Sequence, residues 1–278
     1  MLGLTGLFVA RARVRETTLV ATWYWCLAAF TITCGVEIFQ GLVPPEYFNS
    51  LRYAARVSLL LPVVSLLGAK RPQDGPWNFI VFALWGVLAS PAAVAWLLHG
   101  GRLDVSTAWS ILLAILIVAT FVNAVASCFL AGLCATAALV ILLYSYLPLS
   151  ELRMSPLAMT IFGLVLLVAA AILVTTKRQV SRRPVSLDRL WLDFRDRFGL
   201  FWSLRVQERL NDAAQRLHWP VELAWRGWVT KDGKPLLRDL PPDEQRAILQ
   251  TFRGLLRRFV SHEWIAERAG EKENDAQL

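Results

Sequence analysis

The feature that most constrains this chain is an abrupt rise in charge content between Val174 and Lys177. The first 176 residues contain long uncharged stretches and hold only nine Lys or Arg and six Asp or Glu, whereas the remaining 102 hold twenty and fifteen. A helix that crosses a bilayer needs about 20 mostly apolar residues, and a charged segment needs water. The sequence therefore predicts a mostly α-helical protein, with a polytopic membrane bundle followed by a small soluble domain.

Six stretches are long and apolar enough to span a bilayer. Their predicted bounds are 17–39, 53–69, 77–98, 107–122, 128–147 and 157–176. The fourth and fifth come from Thr107–Leu147, 41 residues without a charge. A helix of that length would be about twice as long as the hydrocarbon core is thick, so the run must reverse. We place the reversal at Phe121–Ser127, and we expect Pro62 and Pro91 to bend their helices without ending them.

Basic residues in the loops predict the orientation of the bundle. If the amino terminus is cytoplasmic, nine Lys or Arg flank the spans on the inside and three or four on the outside. This distribution follows the positive-inside rule. Residues 1–16 then form an interfacial segment, and both termini are cytoplasmic. Arg outnumbers Lys by 24 to 5, which is typical of a GC-rich bacterium, so we expect the bacterial inner membrane.

A basic cluster follows the last span directly, in a juxtamembrane linker predicted at 177–185. Its members are Lys177, Arg178, Arg182 and Arg183. A positive side chain near an anionic leaflet gains about 1 kcal/mol of attraction. We therefore expect these four residues to contact anionic lipid headgroups. Nucleic acid is not an expected partner, because acids are interleaved with the basic residues of the soluble part.

Residues 186–270 are predicted to form a small, mainly helical cytosolic domain, with a disordered end at 271–278. Apolar side chains recur at three- and four-residue steps through 187–217, with Gly199 as a potential break, and again through 241–259. Between these helices, alternation around Val221 and Leu223 predicts a short strand. The Asp232-Gly233 pair predicts a hairpin turn, with Leu236-Leu237 as the return strand.

Four of the six tryptophans in this domain are candidates for contacts with a partner protein. They are Trp191, Trp202, Trp225 and Trp228. Trp and Arg dominate the energetically important positions of protein interfaces. Plain packing in the domain core is the alternative for each of them.

Glu37 is the one ionisable side chain that lies plainly within a predicted span. Charged residues inside a membrane are costly, so Glu37 is a candidate functional residue by default. It is close to the outer end of the first span, where it could pair with Arg52 or Arg56. The sequence leaves two interpretations open, an interfacial ion pair and a proton or cation site.

The residue patterns of most catalysts are missing from the sequence. All four cysteines lie in apolar stretches without a CxxC spacing. His262-Glu263 resembles the start of a zinc helix, but Ala266 stands where the second His is needed. No Walker lysine loop, GxGxxG or GxSxG is present. We therefore predict no catalytic, metal-ligating or cofactor-binding residues and no cofactor.

The leading functional hypothesis is a non-enzymatic membrane component that anchors a cytosolic protein-binding domain, in an assembly, scaffold or regulatory role. Such a role needs a partner protein and the lipid bilayer but no reactive group. The alternative is a permease-like transport subunit that works with a separate ATPase. A third hypothesis is an enzyme that modifies lipids at the interface.

Overall fold

In the part of the chain that the structure describes, six helices are long and apolar enough to cross a membrane. The computed structural model describes Arg11 and residues 14–70, 74–148, 155–179, 187–230 and 240–269. The six helices are α1 (Leu19–Ile38), α2 (Pro45–Leu67), α3 (Asp74–Leu98), α4 (Thr107–Val125), α5 (Phe129–Leu143) and α6 (Pro156–Gln179). The predicted fold class is confirmed, and the chain is a multi-pass membrane protein.

Helix α2 begins at Pro45, eight residues before the predicted start of the second span at 53. Proline is favoured in the first turn of a helix, and Glu46 stabilises the positive end of the helix dipole. The polar first turns are tolerated because α2 is central: 61% of its apolar window is buried, against 22–39% in the other spans. The helix tightens to a 3₁₀ turn at Ser58–Leu60, just before Pro62, which lacks the N–H that would bond to the Ser58 carbonyl.

The long uncharged run reverses at residues 126–128, between α4 and α5. This position falls at the end of the predicted turn. Small residues let the two helices approach closely, since a Cβ atom on Gly132 would lie 2.6 Å from the Cβ of Ala124. A Cβ on Gly163 of α6 would likewise lie 2.6 Å from the Leu142 side chain of α5.

The soluble part, residues 187–269, is named the tail. Its described elements are α7 (Leu187–Arg216), β1 (Val221–Ala224), β2 (Gly227–Thr230), α8 (Pro242–Leu256) and α9 (His262–Ala269). The predicted break in α7 is present, because Gly199 has φ 74° and ψ −167° and interrupts the helical backbone. The combination of helices and one antiparallel hairpin agrees with the predicted fold class.

The hairpin closes earlier than the sequence predicts. Its strands pair Ala224 with Gly227, so the turn is Trp225-Arg226 and the return strand is β2. The predicted return strand Leu236-Leu237 and the predicted turn Asp232-Gly233 lie outside the described residues. A contact distant in sequence favours the earlier turn, because the Trp228 N–H donates to Asp188 Oδ1 of α7 at 2.8 Å.

An aromatic core holds the tail together. The Phe194 and Phe198 rings stack with centroids 4.6 Å apart, and Phe259 meets both edge-on. Trp191 and Trp264 are among the largest fully buried side chains. The same core extends into the membrane half, where its buried members are Val14, Leu19, Trp23 and Ala69.

Backbone hydrogen bonds tie the amino-terminal segment to the tail. The Thr18 N–H donates to the Phe259 carbonyl, and the Ser261 N–H donates to the Glu16 carbonyl, both at 2.8 Å. Residues 14–16 of the predicted interfacial segment therefore pack against the tail. The described residues before α1 and the tail therefore lie at the same end of the bundle, as an even number of spans requires. We name this end the tail side and the opposite end the far side.

Candidate functional site

Glu37 lies at the far side, where it binds two arginines of α2. Its carboxylate accepts a bidentate pair of hydrogen bonds from Arg52, Nε to Oε1 and Nη2 to Oε2, both 2.9 Å long. Nη2 of Arg56 donates to the same Oε1 at 3.1 Å. The three side chains are only 5–14% exposed. One carboxylate therefore serves two nearly buried guanidinium groups, and the cluster keeps a charge of +1.

Arg56 joins three other helices to α2. Its Nη1 donates to the Leu142 carbonyl of α5 at 2.8 Å, and its Nη2 donates to the Thr160 hydroxyl of α6 at 2.6 Å. With Glu37 of α1, these contacts cross-link four spans. The Nε atom of Arg56 is buried and has no hydrogen-bond partner among the described residues. The arginine is thus held firmly although not all its donors are satisfied.

The same two arginines line a cavity of about 860 Å³ that opens between the far-side ends of the helices. Its walls come from the start of α2, the loop between α3 and α4, the end of α5 and the start of α6. The charged lining residues are Glu46, Arg52, Arg56 and Arg102. The lining therefore carries three positive charges and one negative, which suits an anion better than a cation.

The loop that carries Arg102 is fixed against α2. The Ser50 hydroxyl donates to the Gly101 carbonyl at 3.1 Å. Gly101 has φ +88°, and any Cβ there would collide with the Glu46 carbonyl. Only glycine combines this backbone conformation with so close an approach. Arg102 therefore enters the cavity wall from a backbone of defined position.

The tail side has a second polar contact, made without charges. The side-chain oxygen of Asn123, near the end of α4, accepts the Phe201 N–H at 3.2 Å. The amide nitrogen of Phe201 is an orphan donor of the helical segment that restarts after Gly199. Gly199 has no side chain to cap that segment, and a Cβ there would collide with the Asn123 carboxamide. Asn123 therefore acts as an N-cap that is supplied by a membrane helix.

A tryptophan and a threonine complete the junction between tail and bundle. Nε1 of Trp202 donates to the Leu66 carbonyl at the end of α2, and the Thr18 hydroxyl donates to the Ala69 carbonyl, both at 2.8 Å. Both carbonyls lie where α2 ends, and the Leu66 carbonyl also accepts the Ala69 N–H at 3.1 Å. Trp202 thus links the tail directly to the end of α2, and Thr18 links the end of α2 to the segment that pairs with the tail.

The four candidate tryptophans all take part in the tail core. Trp191 and Trp228 are 0% and 2% exposed. Trp202 and Trp225 pack against the core and are partly buried. The alternative of core packing therefore describes Trp191 and Trp228. The binding of a partner protein by the tail stays a prediction.

The basic cluster is only partly described. Lys177 and Arg178 belong to the last turn of α6, and Arg182 and Arg183 lie outside the described residues. Their contact with anionic headgroups stays a prediction. Within the described ranges, no group of three or more His, Cys, Asp or Glu could hold a metal ion.

No family model, no curated protein and no solved structure matches the chain. Its function must therefore be inferred from its geometry and charge.

The roles of two site residues could not be predicted from the sequence. Thr160 looks like an ordinary polar residue of a span, and Asn123 looks like a turn residue. Their roles depend on partners 104 and 78 residues away in the sequence. A signal is available for Arg56: a basic residue inside an otherwise apolar helix predicts an acidic partner, and Glu37 is the only acid available in a predicted span.

Proposed function

We propose that this membrane protein is a non-enzymatic anchor that fixes a protein-binding domain at the cytoplasmic surface, in an assembly, scaffold or regulatory role. The orientation is inferred from the positive-inside distribution of Lys and Arg. The observation that carries the proposal is the core that the tail shares with Val14, Leu19, Trp23 and Ala69. A domain that shares a core with its membrane helices has a fixed position and orientation, as a domain that binds a partner protein at the membrane requires.

The outer face of α7 is the surface that we assign to the partner. It comprises the exposed residues Leu204, Arg205, Glu208, Arg209 and Asp212. The tryptophans are used inside the tail, but this face combines arginines with an apolar side chain that is 49% exposed, Leu204. Arginine is favoured at interfaces because its planar group forms paired hydrogen bonds and stacks on apolar surfaces.

Co-purification of the full chain in mild detergent tests this role. We expect a partner in stoichiometric amount with the unmodified protein. The double variant Arg205→Glu with Arg209→Glu should retain at least tenfold less of it, because two interface charges are reversed. Arg226→Glu is the matched control, since Arg226 is exposed in the hairpin turn and is not on the outer face. Purification with no protein companion, or equal retention by both variants, would contradict the proposal.

A permease-like transport subunit is the second candidate, and the far-side cavity favours it because a transported molecule needs a recognition site. The two functions differ in the identity of the companion. An anchor or scaffold needs no nucleotide-hydrolysing partner, whereas a permease subunit of this type would co-purify with an ATPase that contains a Walker lysine loop.

A further inference from the structure

We propose that the far-side cavity binds a phosphate group, carried either by a free small molecule or by a lipid headgroup. This site is at the opposite end of the bundle from the tail, and it depends neither on a partner protein nor on transport. Three properties of the described residues support it: the charge of the site, the fixed position of its donors, and its size and place in the membrane.

The charge balance favours an anion. Among the described residues, Arg52, Arg56 and Arg102 line the cavity, and Glu46 is the only acid in its wall. Glu37 behind the wall neutralises one arginine, and the site as a whole still carries +1. Excess positive charge is costly where helices exclude water, and a bound anion removes that cost.

Arg52 is held ready to bind. The Nε and Nη2 atoms of Arg52 donate to Glu37, and the Arg52 guanidinium lies over the Phe48 ring, 4.3 Å from the ring centroid. Nη1 donates to no acceptor among the described residues, so it is available to a ligand. A donor that is already oriented loses little conformational entropy on binding.

Arg102 approaches the same cavity from the fixed loop between α3 and α4. Arg52 and Arg102 thus converge from two elements, with Arg56 between α2 and α6 below them. Guanidinium groups form paired, charge-assisted hydrogen bonds with phosphate oxygens. Two or three arginines around one cavity can neutralise a phosphate that a single surface residue would bind only weakly.

The size and position of the cavity decide between kinds of anion. A volume of about 860 Å³ is far larger than a phosphate and falls in the range of small-molecule sites. Leu103, Val105, Leu147 and Met159 supply apolar wall for the remainder of the ligand. The cavity lies at the ends of the spans, where we expect the lipid headgroups. Phosphate is the anionic group that is most abundant there.

Thermal unfolding of the purified full chain in an uncharged detergent tests the site. The probes are inorganic phosphate, dioctanoyl phosphatidic acid, and dioctanoyl glycerol as the uncharged counterpart. We expect a concentration-dependent rise in the midpoint with phosphatidic acid, with inorganic phosphate, or with both. A response to phosphate indicates a free ligand, and a response to phosphatidic acid alone indicates a lipid headgroup. No response to either, or an equal response to the uncharged lipid, overturns the proposal.

Two exposed residues of the cavity wall give variants that leave the buried cluster intact. Arg102→Gln should weaken the affinity for the responding probe about tenfold, since one charge-assisted contact is lost. Glu46→Gln should strengthen it, because the only acid of the wall is neutralised. Arg226→Gln in the tail is the control and should change nothing. An affinity that is unaffected by Arg102→Gln would show that the stabilisation is unspecific and would overturn the proposal.

Discussion

The two ends of the bundle are held together by different physical means. At the far side, one carboxylate and two arginines link four helices through nearly buried charges. At the tail side, an aromatic core and neutral hydrogen bonds join the bundle to the tail. Removal of one member of the charged cluster would leave a nearly buried charge without its counter-charge. At the tail-side junction the stabilisation is shared among many apolar contacts, so a single substitution there should lower the stability less.

Glu37→Gln should give the largest loss of stability and so tests the charged end. Two nearly buried arginines would lose their common counter-charge, and the breaking of a buried ion pair costs about 3–5 kcal/mol. The thermal midpoint and the expression level should both fall. The double variant Glu37→Gln with Arg56→Met should recover part of the loss, because one uncompensated charge is removed with its partner. Unchanged stability would exclude a structural pair and favour the interpretation of Glu37 as a proton or cation site.

Gly199→Ala should cost about 2 kcal/mol and tests the tail side. The backbone of Gly199, with φ 74° and ψ −167°, lies in a region that essentially only glycine adopts, so a side chain there costs about 1–3 kcal/mol, and the added Cβ would also displace Asn123. Gly254→Ala in α8 is the matched control: no atom lies within 4 Å of its added Cβ. There alanine should be neutral or stabilising by about 0.5–1 kcal/mol. Equal effects of the two changes, measured by thermal unfolding, would contradict the close approach of α7 to α4.

Asn123→Ala should have the smallest of these effects, about 1 kcal/mol, because it removes one helix cap. Hydrogen exchange at the Phe201 amide should become faster, while exchange at the amides of α8 should not change. Asn123→Asp retains the acceptor oxygen and should keep the Phe201 amide protected. Equal exchange at Phe201 in all three proteins would mean that the cap is absent.

The fold could be predicted from the sequence because the ability of a helix to span a bilayer depends on about 20 consecutive residues. Apolar stretches therefore revealed six spans, and three- and four-residue periodicity revealed α7. The start of α2 was missed because its polar first turns are tolerated only at the centre of the bundle, and centrality depends on tertiary packing. The turn at Trp225-Arg226 was not predicted, because it is favoured by a contact with Asp188, some 40 residues away in the sequence.

The candidate site was accessible only in part. Glu37 stood out as a charge in a span, and Arg52 and Arg56 were its nearest opposite charges. The cavity could not be predicted, since it is formed by residues from four separate parts of the chain. The junction with the tail was also hidden, because the sequence shows a sharp change of chemistry at Val174–Lys177 and gives no sign that the two parts share one core.

The attachment of the tail to the bundle is most directly tested by disulfide cross-linking between Thr17 and Val260, which pair as an antiparallel bridge. Residues paired in this way lie about 4.5–5.5 Å apart at Cα, within the range that a disulfide spans. In a background without the four native cysteines, Thr17→Cys with Val260→Cys should form an intramolecular disulfide in nearly every molecule under mild oxidation. A well-expressed double variant that stays reduced, or that cross-links only between molecules, would contradict a tail fixed on the membrane helices.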